Sequence, residues 1–375
     1  VRKIPSEGRD SAVAIDWRSA LPTLVAIFVA SRLLLLAVAA VVEAQFPLDE
    51  PAKAWSTAPL LTSLTTSDSV YYLGIASTGY HVAPVSGSYH DYVFFPLYPI
   101  VVRVASIATL GDVAVAGVLV ANAAFMAAMI LVYRLTRGHL DAEASMRTVA
   151  YLTVAPGAVA FAMAYGESLF LLLAVGAFLA AEQRRYPLMG LLYALATLTR
   201  LPGVLLGIAL LVQLLMNDGR HEWRRWAWLL AGPVALAAFY GYLWHLTGDP
   251  LANLHGQAAW DAPQLAPITG GPMITRAEPL FVVLLAVLLV YAFLFVYARV
   301  DRTAPAHVTW AATVFAAVLA GGRILSAPRY LAVGWTFDWW LGARRSTIAR
   351  IAWPIAWAGA FGIYAFLAFT TQLAP

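Results

Sequence analysis

The stretch Leu21–Ala44, LPTLVAIFVASRLLLLAVAAVVEA, decides how the rest of the chain is read. It runs past the roughly 20 residues needed to cross a hydrocarbon core. Leu, Ala and Val fill it continuously, without the alternation of a barrel strand, so its backbone groups are satisfied internally only as a helix. It is also too long for a signal peptide and lacks a convincing small-residue cleavage site. Similar apolar runs recur along all 375 residues, of which 61% are hydrophobic and 12% charged. A soluble domain carries about 25% charged residues. The expected fold class is therefore all-α and polytopic, with residues 1–375 forming one integral membrane domain and no room for a soluble one.

Arginines set the topology. They cluster at Arg2, Arg9 and Arg18; at Arg134, Arg137 and Arg147; at Arg184 and Arg185; at Arg220, Arg224 and Arg225; at Arg299 and Arg302; and at Arg344, Arg345 and Arg350. The positive-inside rule assigns all six clusters to the cytoplasm, with residues 1–20 as a cytoplasmic N-terminus. The net charge of +4 is topological, and no nucleic-acid surface is expected. Arginine far outnumbers lysine, which occurs only at Lys3 and Lys53. With abundant alanine, this fits a GC-rich bacterial genome, so the expected location is the bacterial inner (plasma) membrane.

The turns between clusters face outward. They hold Tyr165-Gly166-Glu167, Thr199–Gly203, the segment Gly248–Ala277 and Gly321–Tyr330. The first outward segment, 45–111, is the longest. Within it Val70–Tyr80 reads as an interfacial amphipathic helix. Phe94–Leu110 carries Pro96, Pro99 and Arg103 and is expected to lie along the outer interface, because a crossing there would put Arg134 outside. This parity gives eleven spans. Ser168–Glu182 and Pro187–Arg200 are short for a crossing, so the outer end of the bundle should be recessed, leaving a place where a lipid-borne substrate could dock.

Polar residues gather at these outer ends: Asp68, Asp91, Glu167, Arg200, Gln257, Arg323 and Arg329. Sugar transfer from a lipid phosphate needs a carboxylate to take the acceptor's proton and cationic groups to hold the departing phosphate. A transporter also places polar residues at helix ends. Arg200 and Arg329 suit a bidentate anion, or alternatively snorkel to the interface. Glu167, flanked by apolar helix, is costly to bury alone and implies a partner; structural pairing and substrate binding both stay open. Arg32, near mid-depth of the first span, also requires a partner and is read as structural. Tyr98 and Phe95 read as interfacial belt. His90 has no second ligand at metal spacing, the chain has no cysteine, and neither a metal nor a cofactor is expected.

Several motifs go further. Ser67-Asp68-Ser69-Val70-Tyr71-Tyr72-Leu73-Gly74-Ile75-Ala76 with Gly79-Tyr80, then Phe94-Phe95-Pro96-Leu97-Tyr98-Pro99, resembles the PIG-V family of polyprenyl-phosphate-mannose mannosyltransferases in the GT-C superfamily. Ala164–Phe170 is similar to the family's Tyr-Ser-Glu-Ser-Leu-Phe, and Leu195–Gly203 to its Thr-Arg-Pro-Thr-Gly region. Gly248-Asp249-Pro250 with Gln257 and Trp260 resembles its Gly-Asp-Pro loop, and Ser326–Tyr330 its late Arg-Tyr motif. Ser67 and Tyr71 stand where tryptophans are usual, and Ala332-Val333-Gly334-Trp335 replaces a proline-rich stretch. The resemblance implies an inverting transferase of GT-C type acting on the extracytoplasmic face. Its donor would be polyprenyl-phosphate mannose and its acceptor a glycolipid, glycan or protein hydroxyl. Asp68 would be the catalytic base, with Glu167, Arg200, Gln257, Arg329, Tyr330 and Asp91 binding substrate. The residues alone also allow Asp68 to be a helix N-cap. Another lipid-phosphate sugar, or a lipid-linked sugar flippase, are the alternatives; many transporters repeat their two halves, and no such repeat is evident in this sequence.

Overall fold

The structure, a computed structural model, describes residues 15–46, 54–85, 89–218, 223–257, 287, 290–292, 304–321 and 326–370. Trp260 and Arg323 lie outside the described residues, as do Arg2, Arg9, Arg220, Arg299 and Arg302. Helices follow one another as α1 (Trp17–Gln45), α2 (Leu61–Leu64), α3 (Ser69–Thr78), α4 (Leu97–Ala105), α5 (Val113–Arg137), α6 (Ala142–Thr153), α7 (Glu167–Glu182), α8 (Tyr186–Thr197) and α9 (Pro202–Asp218). After them come α10 (Trp223–Trp226), α11 (Ala231–Thr247), α12 (Ala252–Gln257), α13 (Pro305–Gly321), α14 (Ala327–Ala332), α15 (Thr336–Gly342) and α16 (Trp353–Phe369).

The chain is a multi-pass, all-helical membrane protein. Among the described residues four helices are long and apolar enough to cross a bilayer: Trp17–Gln45, Val113–Arg137, Arg224–Thr247 and Arg350–Phe369. This count does not by itself reach eleven. Helix starts are written in the sequence. Asp16, Asp112 and Asp141 cap α1, α5 and α6, each carboxylate accepting a first-turn backbone N–H. Arg134 and Arg137 in the last turn of α5 complement the helix dipole.

Other helices are cut short. With 16 residues in α7 and 12 in α8, these span only about 24 and 18 Å, against a core about 30 Å thick. Phe94–Leu110 forms the nine-residue α4 and a 3-10 turn, Ser106–Thr109. Ile100, Val104, Ile107 and Leu110 expose their side chains along it, while Leu97 N–H donates to the Leu198 carbonyl at the end of α8. The helix expected over Val70–Tyr80 runs instead from Ser69 to Thr78 and stops at Gly79, whose φ of 86° is left-handed. Tyr72, Leu73, Ile75 and Ala76 are buried on it.

Between α6 and α7 the chain leaves regular α-helix inside the protein. Pro156–Phe161 is a 3-10 helix, and every residue from Ala155 to Ser168 is buried. Irregular backbone at membrane depth is tolerated where protein satisfies it. Here Asn122 Nδ2 donates to the Ala162 carbonyl, Ser168 Oγ to that of Phe161, and Ala164 N–H to that of Leu64. Gly157 sits against the start of α14; a Cβ there would fall 2.0 Å from the Pro328 carbonyl oxygen. The segment thus delivers Tyr165-Gly166-Glu167 and α14 to one place.

Arg32 has no charged partner among the described residues. Its guanidinium carbon lies 5.1 Å and 4.8 Å from the ring centres of Phe28 and Phe125, and its nitrogens make no hydrogen bond there. Aromatic faces are thus the partner that the sequence led us to expect.

Candidate active site

Asp68 reaches the site through a pinned loop. The Glu43 carboxylate, near the end of α1, accepts from Leu60 N–H at 2.7 Å, Ser63 N–H at 3.0 Å and Ser63 Oγ at 2.8 Å. The loop then turns at Ser67, whose φ of 56° is unusual for a residue with a side chain, and enters α3. Asp68 occupies the N-cap position, but its side chain makes no capping bond. Its Oδ2 lies 2.6 Å from Arg329 Nη1 instead, and its own N–H donates to Tyr165 Oη at 3.3 Å.

Arg329 is the hub. Beyond Asp68, its Nε lies 3.2 Å from Glu167 Oε1, and its Nη2 donates to Tyr330 Oη at 3.3 Å. Glu167 Oε1 also pairs with Arg200 Nη1. The Tyr330 ring lies 4.9 Å from the Arg200 guanidinium carbon and 5.0 Å from that of Arg329, and the Tyr165 ring 5.3 Å from the latter. Two carboxylates and two guanidiniums therefore balance in a buried network, the arrangement that makes buried charge tolerable. Removing any one member leaves a charge uncompensated.

A cavity of about 270 Å³ opens beside this network. Asp68, Tyr72, Phe94, Phe95, Thr199, Arg200, Gln257, Ser326, Arg329 and Tyr330 are among the residues lining it. Besides these charged and hydrogen-bonding groups, Phe170, Leu205, Val314 and Val318 give the lining an apolar part. Arg329 engages Asp68 through Oδ2, and Asp68 lines the cavity. Among the described residues Arg200 has one ion pair, with Glu167, which leaves the rest of its planar fork for an anion.

Five of the seven residues expected to act in catalysis or substrate binding thus line one cavity: Asp68, Arg200, Gln257, Arg329 and Tyr330. Gln257 arrives because Asn253, one turn earlier on α12, donates to the carbonyls of Tyr92 at 2.8 Å and Val93 at 3.1 Å. Glu167 is 0% exposed and stands behind the arginines, outside the lining. Asp91 departs from expectation. It does not line the cavity; its Oδ2 is 2.8 Å from His81 Nδ1, and both its oxygens accept from the His81 N–H. Burial pushes the Asp91 carboxyl above its ordinary range, opposed by the His81 hydrogen bonds. Tyr72, which lines the cavity, and Tyr165, which accepts from Asp68 N–H, are functional neighbours that the sequence marks only as parts of motifs. The i, i+4 spacing of Asp68 and Tyr72 was the available signal for the first, since it puts both on one helix face.

The sequence profile of the family described as Mannosyltransferase (PIG-V) matches residues 22–217, more than half of the chain. The chain belongs to this family. Asp68, Asp91, Glu167 and Arg200 fall inside the part matched to the PIG-V mannosyltransferases, while Gln257, Arg329 and Tyr330 lie beyond it. No curated protein sequence matches the chain. Among solved structures, it is similar to the oligosaccharyltransferase of Archaeoglobus fulgidus tethered to an acceptor peptide. That match has a TM-score of 0.49 and 16% identity, covering 96% of this chain and 56% of that one. The oligosaccharyltransferase AglB of the same organism, in complex with an inhibitory peptide and a dolichol-phosphate, matches at 0.48 and 13% identity, covering 96% and 56%. The chain spans just over half the length of these structures.

Proposed function

We propose that this PIG-V family protein transfers mannose from a polyprenyl-phosphate carrier to an acceptor hydroxyl on the extracytoplasmic face, with inversion at the anomeric carbon. The observation that carries this reading is that Asp68 and Arg200 line the same cavity while Arg329 pairs with Asp68. In the reaction the acceptor oxygen bonds to the anomeric carbon as the bond from that carbon to the phosphate oxygen breaks. Asp68 Oδ1 takes the acceptor's proton, and the phosphate leaves with the electron pair toward Arg200. Arg329 holds Oδ2 and so fixes which carboxylate oxygen faces the reacting centre. The apolar part of the lining suits the first isoprene units of the carrier, and Gln257 and Tyr330 suit sugar hydroxyls. The acceptor is a glycolipid, glycan or protein bearing the attacking hydroxyl.

Family membership supports the choice of mannose and of a transferase over a flippase. The test supplies membranes containing the protein with polyprenyl-phosphate carrying radiolabelled mannose. Label should move to an acceptor and release free polyprenyl phosphate. Label that changes leaflet while still attached to its carrier, with no transfer, would establish the flippase instead. Transfer from the glucosyl but not the mannosyl lipid would change the donor and keep the chemistry.

A further inference from the structure

Three residues that play no part in this chemistry meet at the opposite end of α7. His139 follows α5, Glu182 closes α7, and His307 is in the first turn of α13. His139 Nε2 lies 3.0 Å and His307 Nε2 3.1 Å from the same oxygen, Glu182 Oε1. The ligand atoms of all three lie within 4.8 Å of one another. Since Glu167 begins the helix that Glu182 ends, the cluster is roughly 22 Å along α7 from the candidate active site, at about 1.5 Å per residue. Arg137, Arg184 and Arg185 adjoin it in sequence, so it belongs to the cytoplasmic face.

Packing holds these groups in place. His307 is fully buried, stacked on Phe178 at 4.9 Å and set against Trp339 at 4.9 Å. The other side of the pair is similar, for the His139 ring lies 4.9 Å from the same Trp339. Phe178 stands one turn before Glu182 on α7, so the helix face that aims the carboxylate also positions the imidazole. The cluster is closed on one side and open on the other: side-chain exposure is 0% for His307, 22% for Glu182 and 31% for His139.

We propose that His139, Glu182 and His307 form a binding site for a divalent transition-metal ion of the Zn²⁺ class. Two neutral imidazoles and one carboxylate are a ligand set that such ions accept, with bonds of about 2.0–2.2 Å, leaving a fourth tetrahedral position for water. Ligands around one such ion are roughly 3.3 Å apart, so the 3.0 and 3.1 Å separations need to open by a few tenths of an ångström. The separation between the two histidine ligand atoms, up to 4.8 Å, needs to close toward the same value. The water would lie on the open side, beside His139. Oxygen-seeking Ca²⁺ and Mg²⁺ are excluded by the two nitrogen ligands. Bound there, the ion ties the ends of α5, α7 and α13 together at the cytoplasmic face. Residue spacing does not reveal the cluster, because the participating groups are 43 and 125 residues apart.

The test uses the full chain, tag-free, purified in detergent, stripped with chelator and titrated with Zn²⁺ or Co²⁺. One ion should bind per chain, Co²⁺ should give the visible bands of a tetrahedral complex, and Zn²⁺ should raise the melting temperature as any native-state ligand does. His139→Ala and Glu182→Gln, both at the exposed side, should weaken binding by more than the roughly 10–100-fold that loss of even an outer-shell partner costs. Polyprenyl-phosphate-dependent transfer need not change in either. Binding that persists undiminished in both variants overturns the assignment. So does a wild-type protein that takes up no stoichiometric ion, in which case the cluster is a carboxylate satisfied by two histidines.

Discussion

Arg329 Nη1 stands 2.6 Å from Asp68 Oδ2, an ion pair closed across 261 residues of sequence. Together with the contact to Glu167, it uses two edges of one guanidinium to hold two carboxylates from different elements. Lysine cannot reproduce that geometry, because its ammonium is a point charge. Arg329→Lys should therefore lower the turnover rate, since Asp68 loses its orientation. Arg200→Lys should instead raise the donor KM by about tenfold or more, from loss of one charge-assisted contact worth roughly 1.5–3 kcal/mol. Steady-state kinetics with varied donor separate the two, and identical behaviour of both variants would undo the division of roles.

Glu167 contributes through the arginines. With no exposed surface and both guanidiniums on its Oε1 side, it is the counter-charge that lets them be buried. Glu167→Gln should destabilise the protein by about 3–5 kcal/mol, the cost of removing one partner from a buried pair. Thermal unfolding in detergent measures this. A variant of unchanged stability that has lost only donor affinity would return Glu167 to direct substrate binding.

Gly157 should prove intolerant of a methyl group. Its missing Cβ would lie 2.0 Å from the Pro328 carbonyl oxygen and 2.5 Å from the Arg329 nitrogen, both backbone atoms that cannot rotate away. Gly157→Ala should cost about 1–3 kcal/mol by overpacking and, by displacing α14, reduce activity further than stability alone explains. The comparison is specific activity at a temperature where both proteins stay folded.

Much of this site was legible in the sequence because its motifs are local. Ser67-Asp68, Thr199-Arg200 and Pro328-Arg329 each sit at a helix end, where polar residues interrupt an apolar run. What joins them was not legible. Nothing in residue spacing says that Arg329 answers both Asp68 and Glu167, since that depends on Gly157 letting α14 approach the 3-10 segment. Asp91 was drawn into the site by its polar loop, and only coordinates reveal that His81 takes both its oxygens. That Arg32 needs a partner is legible, but that two phenyl faces serve is not. The histidine cluster was invisible for the same reason as the Arg329 hub.

Topology can be tested without function, because the chain has no cysteine. A cysteine at Ser326 should react with an impermeant thiol reagent applied from outside, and one at Ser346 only after permeabilisation. Gly111 follows α4 and its 3-10 turn, which together cover about 20 Å. A cysteine there should react from outside if this segment lies along the outer interface. Labelling only from the cytoplasm would make it a crossing and overturn the eleven-span scheme.

Asp68→Asn separates chemistry from structure. Asparagine has aspartate's size and caps helices as well, so a capping role predicts little change. The Asp68 side chain makes no capping bond, which already weakens that role. What the amide loses is basicity and half of an ion pair. If Asp68 is the general base, transfer should fall by about 10²–10⁴-fold, with donor binding largely retained through Arg200. Arg329 keeps Glu167 as counter-charge but shares it with Arg200, so the folded state should survive with a lowered melting temperature. Transfer of labelled mannose and melting temperature must be measured on the same preparations, with Asp91→Asn as the control for losing a carboxylate outside the cavity. Near-normal transfer by Asp68→Asn, with Asp91→Asn inactive, would move the base to Asp91 and leave the Arg329 pair a structural one. Loss of transfer in Asp68→Asn alone, with the protein still folded and donor affinity retained, is the pattern that a base facing the cavity through Oδ1 requires.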